Sequence, residues 1–213
     1  MKGLVLATLC VSLLLVGTIS SQAFASEGHR YILEWGSFGV IDPGQFNLPQ
    51  QIAVDDERNI YVADTGNSKI QKLTGNGEFL SSWGTTGIND GELQSPVGIA
   101  IYENNIYVVD DKLNNIQKFD SDGNFIFKWG KLGVEDGQFN KPKGITIDSS
   151  GTVYVADSKN HRIQTFTSDG EFLSSFGIYG SGDGKLKNPV DVAVYGDFIY
   201  VSDPGNYKIE KYA

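Results

Sequence analysis

Apolar residues recur along this chain in short runs rich in Ile, Val and Tyr, each bounded by clusters of Asp, Asn and Gly. "QIAV" and "NIYVAD" have this form near residue 55, and the mixed runs "SKIQKL" and "EFLSSW" follow them. Such runs predict strands separated by turns, because Asp, Asn and Gly supply the backbone conformations that reverse a chain. "TGNG", "DSDG" and "TSDG" mark the hairpins between the last two runs of a unit. The first two runs of each unit are nearly all apolar, as suits strands covered on both faces, and the last two mix in Gln, Lys and Ser. No window from residue 26 onward has the period of an amphipathic helix. The pattern before it is different: an apolar run from Leu4 to Ile19 follows Lys2 and leads into Ala23-Phe24-Ala25, the form of a cleaved secretory leader over residues 1–25. The competing reading is an uncleaved N-terminal anchor.

The four-run unit repeats. Segments 46–84, 93–130, 139–177 and 186–213 align, and their aspartates Asp64, Asp110, Asp157 and Asp203 are spaced by 46, 47 and 46 residues. Four-stranded units at that period predict an all-β β-propeller over residues 26–213, each antiparallel sheet being one blade. "YILEWG" at Tyr31 matches "EFLSSWG", "NFIFKWG" and "EFLSSFG", while the last repeat stops after its third run. Residues 31–35 are therefore expected to close the last blade, removing two exposed sheet edges and giving a monomer with four complete blades. The alternative is an open arc that completes its ring with another chain through the same strand. Phe46 and Phe139, Asp55 and Asp148, Leu93 and Leu186, and Tyr102 and Tyr195 each lie 93 residues apart, which points to duplication of a two-blade unit.

"NIYVADTGNSKIQKL", from Asn59 to Leu73, resembles the NHL repeat, and the likeness extends over essentially all of 26–213. The resemblance implies a β-propeller that binds proteins or peptides. The chain departs from the family in having four repeats where six blades are usual, and in carrying Leu113 and Asn115 where the first repeat has Asn67 and Lys69.

Composition narrows the function. The net charge of −9 becomes about −10 without Lys2, so phosphate backbones and anionic membranes are repelled; no nucleic acid partner and no membrane insertion after leader cleavage are expected. The one cysteine, Cys10, lies in the leader, so the exported domain has neither disulfides nor thiolate chemistry. With two histidines, His29 and His161, a His-rich metal site cannot form. The four repeated aspartates are candidate binding groups on one face of the ring, although Asp and Asn at strand ends also cap turns. Asp55, Tyr102, Asp148 and Tyr195 break the repeat and are expected to ring the channel, where two carboxylates and two phenols would hold a cation such as calcium or a cationic group, or line a wet rim. "DSDGN" from Asp120 lacks the glutamate of a calcium loop and is expected to be a hairpin turn. Trp35, Trp83, Trp129 and Phe176, one per blade, are expected to wedge adjacent blades. Together these features describe a secreted, non-catalytic scaffold for a protein, peptide or cell-surface polymer, without an obligatory cofactor. The alternative is a lyase or lactonase that uses a divalent metal held by channel carboxylates.

Overall fold

The structure, a computed structural model, describes residues 31–40 and 42–213. The expected leader, its cleavage site and His29 lie outside the described residues. The blades belong to one compact unit, Glu34–Ala213. A short parallel pair, β1 (Ser37–Phe38) and β2 (Gln45–Phe46), precedes blade one, which consists of β3 (Pro49–Val54), β4 (Ile60–Asp64), β5 (Lys69–Leu73) and β6 (Phe79–Trp83). Blade two is β7 (Pro96–Tyr102), β8 (Asn105–Asp110), β9 (Asn115–Phe119) and β10 (Phe125–Trp129). Blade three is β11 (Pro142–Ile147), β12 (Val153–Asp157), β13 (Arg162–Phe166) and β14 (Phe172–Phe176). Blade four is β15 (Asp191–Tyr195), β16 (Phe198–Asp203) and β17 (Lys208–Tyr212). Every blade is an antiparallel meander in chain order. Among the described residues there is no α-helix, only one 3₁₀ turn in each of blades one and three, at Thr65–Asn67 and Ser158–Asn160. That alternation matches the two-blade period of the sequence.

The innermost strands pack side by side, β3 on β7, β7 on β11 and β11 on β15, so the sheets stand face to face in a propeller arrangement. Three apolar cores fill the three joints. Tyr61, Ala63 and Ile70 meet Ile99, Val108 and Phe119 between blades one and two. Tyr107, Val109 and Ile116 meet Ile145, Val155 and Phe166 between blades two and three. Ala156 and Ile163 meet Val192 and Val201 at the third joint. Each blade thus has a leading face toward the blade before it and a trailing face toward the blade after it. A Phe or Leu at the head of each blade (Phe46, Leu93, Phe139, Leu186) packs against the Gly that ends the preceding outer run, and Gly36, Gly84, Gly130 and Gly177 all have φ between 90° and 96°.

The expected closing strand is not formed. Residues 31–36 belong to no strand, and the sheet of blade four has three strands, not four. The local reading holds at its end: Trp35 lies against Gly77 just as Trp83 lies against Gly123 and Trp129 against Gly170, and Gly36 contacts Phe46. What is missing is the pairing. The packed strand pairs join blade one to two, two to three and three to four, and Ile52 of blade one and Ile209 of blade four stay exposed, so among the described residues the four blades form an open arc.

Candidate functional site

The four repeated aspartates are fully buried. Each ends the second strand of its blade and accepts backbone N–H groups from the segment entering the first: Asn47 at 2.7 Å for Asp64, Gln94 at 2.6 Å for Asp110, Asn140 at 2.8 Å for Asp157 and Lys187 at 2.9 Å for Asp203. Side chains of the same blade complete the shell, Asn67 and Gln71 on Asp64, and Asn160, Arg162 and Gln164 on Asp157. In blade two, where Leu113 replaces the Asn, the backbone N–H groups of Lys112 and Leu113 donate to Asp110 in its stead. With their lone pairs taken up inside the blades, these carboxylates hold the entry loops in place and present nothing to a ligand.

Asp55 and Asp148 cap the hairpins that follow the innermost strands of blades one and three. Asp55 accepts from the Asn59 backbone at 2.7 Å, the Asn59 amide at 2.9 Å and the Tyr61 hydroxyl at 3.1 Å. Asp148 accepts from Ser150, Thr152 and the Tyr154 hydroxyl. Burial pushes both carboxyls up, but these hydrogen bonds outweigh it and hold both below the usual carboxylate range. Tyr102 shares a cleft of about 360 Å³ with Asp55 and rests against Gly151 of the Asp148 hairpin. Tyr195 stands apart at the end of the arc, 79% exposed. The expected ring of two carboxylates and two phenols is therefore not assembled: Asp55 and Tyr102 come together, Asp148 lies behind Tyr102, and Tyr195 has no blade beside it. The Asp120 segment is a hairpin turn, its carboxylate accepting from Asp122 and Asn124. Among the described residues no three His, Cys, Asp or Glu side chains cluster as a metal site would require.

The central cavity lies at the opposite ends of the innermost strands. About 350 Å³ in volume, it is lined by Gln50, Gln51, Val97, Lys143, Gly144, Val190 and Asp191, so all four blades contribute. They follow directly on the Pro at the head of each repeat, Pro49, Pro96, Pro142 and Pro189. In β3, β7 and β11 the register slips at this point, a bulge that turns the side chains out of the ladder and toward the axis. The Gln51 side chain accepts from the Ile99 backbone at 2.8 Å. Lys143 donates to buried Asp111 at 2.6 Å, with Lys141 3.8 Å from the same carboxylate. Asp191 is open to the cavity, yet the surrounding blades strip enough water from it to push its carboxyl above the usual range. Gly144 makes room for it, since a side chain there would collide with the Asp191 carboxylate. The sequence did carry a signal for this site: Gln-Gln, Val-Gly, Lys-Gly and Val-Asp differ from blade to blade inside a segment that otherwise repeats.

His161 follows the 3₁₀ turn of blade three with φ 60°. Its Nδ1 accepts from the Asn188 backbone at 3.1 Å, and burial lowers its pKa.

The NHL repeat family profile matches residues 46–73 and 139–166. A segment of 74 residues is 38% identical to the protein brain tumor of Drosophila melanogaster, covering 35% of this chain and 7% of that one. Among solved structures, a protein of unknown function from Bacteroides thetaiotaomicron superposes with a TM-score of 0.60 at 21% identity, over 76% of this chain and 46% of that one. A catalytically inactive virginiamycin B lyase from Staphylococcus aureus, solved with quinupristin, superposes with a TM-score of 0.58 at 19% identity, over 77% of this chain and 55% of that one. The chain thus spans about half the length of the solved chains it matches.

Proposed function

We propose, from the premise that this chain is an NHL-repeat β-propeller, that it is an exported, non-catalytic scaffold that binds a protein, peptide or surface polymer at its central cavity. The observation that carries this reading is the cavity itself, whose lining differs from blade to blade while everything around it repeats. Its groups suit hydrogen bonding to a polar chain: the amide of Gln50, the Lys143 ammonium and the Asp191 carboxylate, with Val97 and Val190 between them. Val97 belongs to the core between blades two and three and Lys143 pairs with buried Asp111, but packing asks for neither Gln50 nor Asp191, and loops or strand ends at one face of a rigid scaffold are where such folds present contacts. A metal-dependent lyase or lactonase has support from the fold alone. The cavity holds one carboxylate, and His161 is occupied in joining two blades.

Peptide and glycan arrays probed with the exported chain and with Asp191→Ala and Lys143→Ala test the proposal. Retention by the parent chain and at least tenfold weaker retention by both variants is the expected result. Equal retention by all three would place binding elsewhere, and turnover of a retained compound would make the protein an enzyme.

A further inference from the structure

The two ends of the arc expose the two halves of a joint that the chain builds three times internally. On the leading side, Ile52 of blade one is 62% exposed, whereas its counterparts Ile99, Ile145 and Val192 are 2%, 2% and 3% exposed. On the trailing side, Ile209 of blade four is 69% exposed, whereas Ile70, Ile116 and Ile163 are fully buried. Among the described residues neither blade face has a neighbour.

The finer details of the joint match the two open faces to each other. After the second strand of each blade comes a residue with left-handed φ (Ser68, Asn114, His161, Tyr207) that faces the segment entering the next blade. Internally these contacts are polar. Ser68 donates to the Gln94 carbonyl, Asn114 accepts from the Lys141 N–H, and His161 accepts from the Asn188 N–H. The equivalent position at the open end is Tyr207, 97% exposed, and the equivalent of Lys141 and Asn188 at the other open end is Leu48, 69% exposed and also at positive φ. Tyr207 and Leu48 thus hold corresponding places on the two open halves of one joint, and both are exposed.

A third correspondence involves the lysines of the third strands. Lys72 reaches over the Tyr61 ring to the Ser121 carbonyl of the next blade, and Lys118 over Tyr107 to the Ser168 carbonyl. Lys211 occupies this place in blade four, opposite Tyr200, its ammonium over the Tyr200 ring at 5.6 Å and over the Phe198 ring at 3.5 Å from the centroid, with no following hairpin beside it among the described residues. The outer strand shows the same division. Ile70, Ile116 and Ile163 pair with Trp83, Trp129 and Phe176 of the outer strands, while Ile209 pairs with Ser202 on its inner side alone among the described residues and Trp35 sits at the leading end without a strand to pair with.

We propose that a second copy of this chain covers both faces: blade four of each copy docks on blade one of the other, and two four-bladed arcs close one ring. Tyr207 then packs on Leu48 of the second copy, Ile209 on its Ile52, and Lys211 reaches the carbonyl of its Gly75 in the "TGNG" hairpin. Trp35 of the second copy stands beside Ile209, so the three-stranded blade gains its fourth strand from the other chain. A contact between unlike faces forms a closed dimer when the rotation per chain is half a turn and a fibre when it does not close. The central cavity is then shared, and the binding role proposed above would use residues from both copies, although the dimer stands or falls without that role.

Light scattering on the exported chain, combined with disulfide trapping, tests the proposal. The domain is free of cysteine beyond the leader, so Tyr207→Cys with Leu48→Cys introduces one defined pair. The expected results are twice the chain mass for the parent and a disulfide-linked dimer on a non-reducing gel for the double variant, with each single-cysteine variant folded by circular dichroism and unlinked. A parent of single-chain mass, whether its double variant links within one chain or not at all, overturns the proposal in favour of self-closure or a free arc. Masses growing beyond two copies overturn the closed ring.

Discussion

Two aspartates show how one residue type does opposite work. Asp157 is fully buried and accepts from four donors, so Asp157→Ala strands Arg162, Gln164, Asn160 and the Asn140 N–H. Removing one partner of a buried, bonded charge costs about 3–5 kcal/mol, and urea unfolding should show a loss of that order. Asp191 has one hydrogen bond, from the Val192 N–H, and a carboxyl pushed upward by burial. A carboxyl whose pKa is higher in the folded state binds its proton more tightly there, so its ionised form opposes folding and the opposition fades as pH falls through the folded pKa. Asp191→Asn should therefore melt higher than the parent at neutral pH, with the gap closing as the pH is lowered toward the ordinary carboxylate range. A variant that melts lower at pH 7 would show that Asp191 is structural. Both roles were only half legible in the sequence. The repeat of Asp64, Asp110, Asp157 and Asp203 announced that every blade needs them, and the structure shows why; the same logic pointed to Asp55 and Asp148 as irregular, but the structure gives them turn-capping duties. Asp191 went unnoticed because its neighbours on the axis come from other repeats, and no spacing along the chain shows which residues a bulge will turn inward.

At the scale of strands and blades the sequence was far more explicit. Short apolar runs, Asp/Asn/Gly turns and the repeat of 46 or 47 residues placed the meanders, since each depends on residues close together in the chain. The error at residues 31–35 has the same origin. "LEWG" carries every local feature of an outer strand, and Trp35 and Gly36 do pack as such a strand's end would. Whether a strand forms there depends on where blade four lies, which is fixed by the accumulated geometry of three joints and is encoded nowhere locally. The tryptophans measure this difference. Trp129 is enclosed by the rings of Tyr107, Phe127 and Phe166 at 5.6–6.3 Å, and Trp129→Ala should cost about 3–5 kcal/mol, as large aromatic truncations in a core do. Trp35, 40% exposed in the single chain, should cost well under half of that in dilute solution, where the chain stands alone. Chemical denaturation of the two variants side by side checks the order; equal losses would mean that the outer position of the first joint is already filled.

The whole molecule sets an apolar joint against an acidic surface. Each chain carries a net charge of −9, so two copies repel one another at long range, while the surfaces proposed to meet expose Leu48, Ile52, Tyr207 and Ile209. Burying apolar surface depends little on modest salt, but repulsion between two acidic bodies is screened, with a Debye length falling from roughly 30 Å at 0.01 M to about 8 Å at 0.15 M. Association should therefore strengthen as salt rises through that range and then level off, the reverse of a joint held by ion pairs across the interface. Sedimentation velocity at fixed protein concentration and increasing sodium chloride reads the balance directly. The melting temperature should follow it and rise with protein concentration, because a second copy that binds only the folded chain stabilises it by mass action. Dimer that dissociates on adding salt would place charge pairs, not Tyr207 and Leu48, at the centre of the contact.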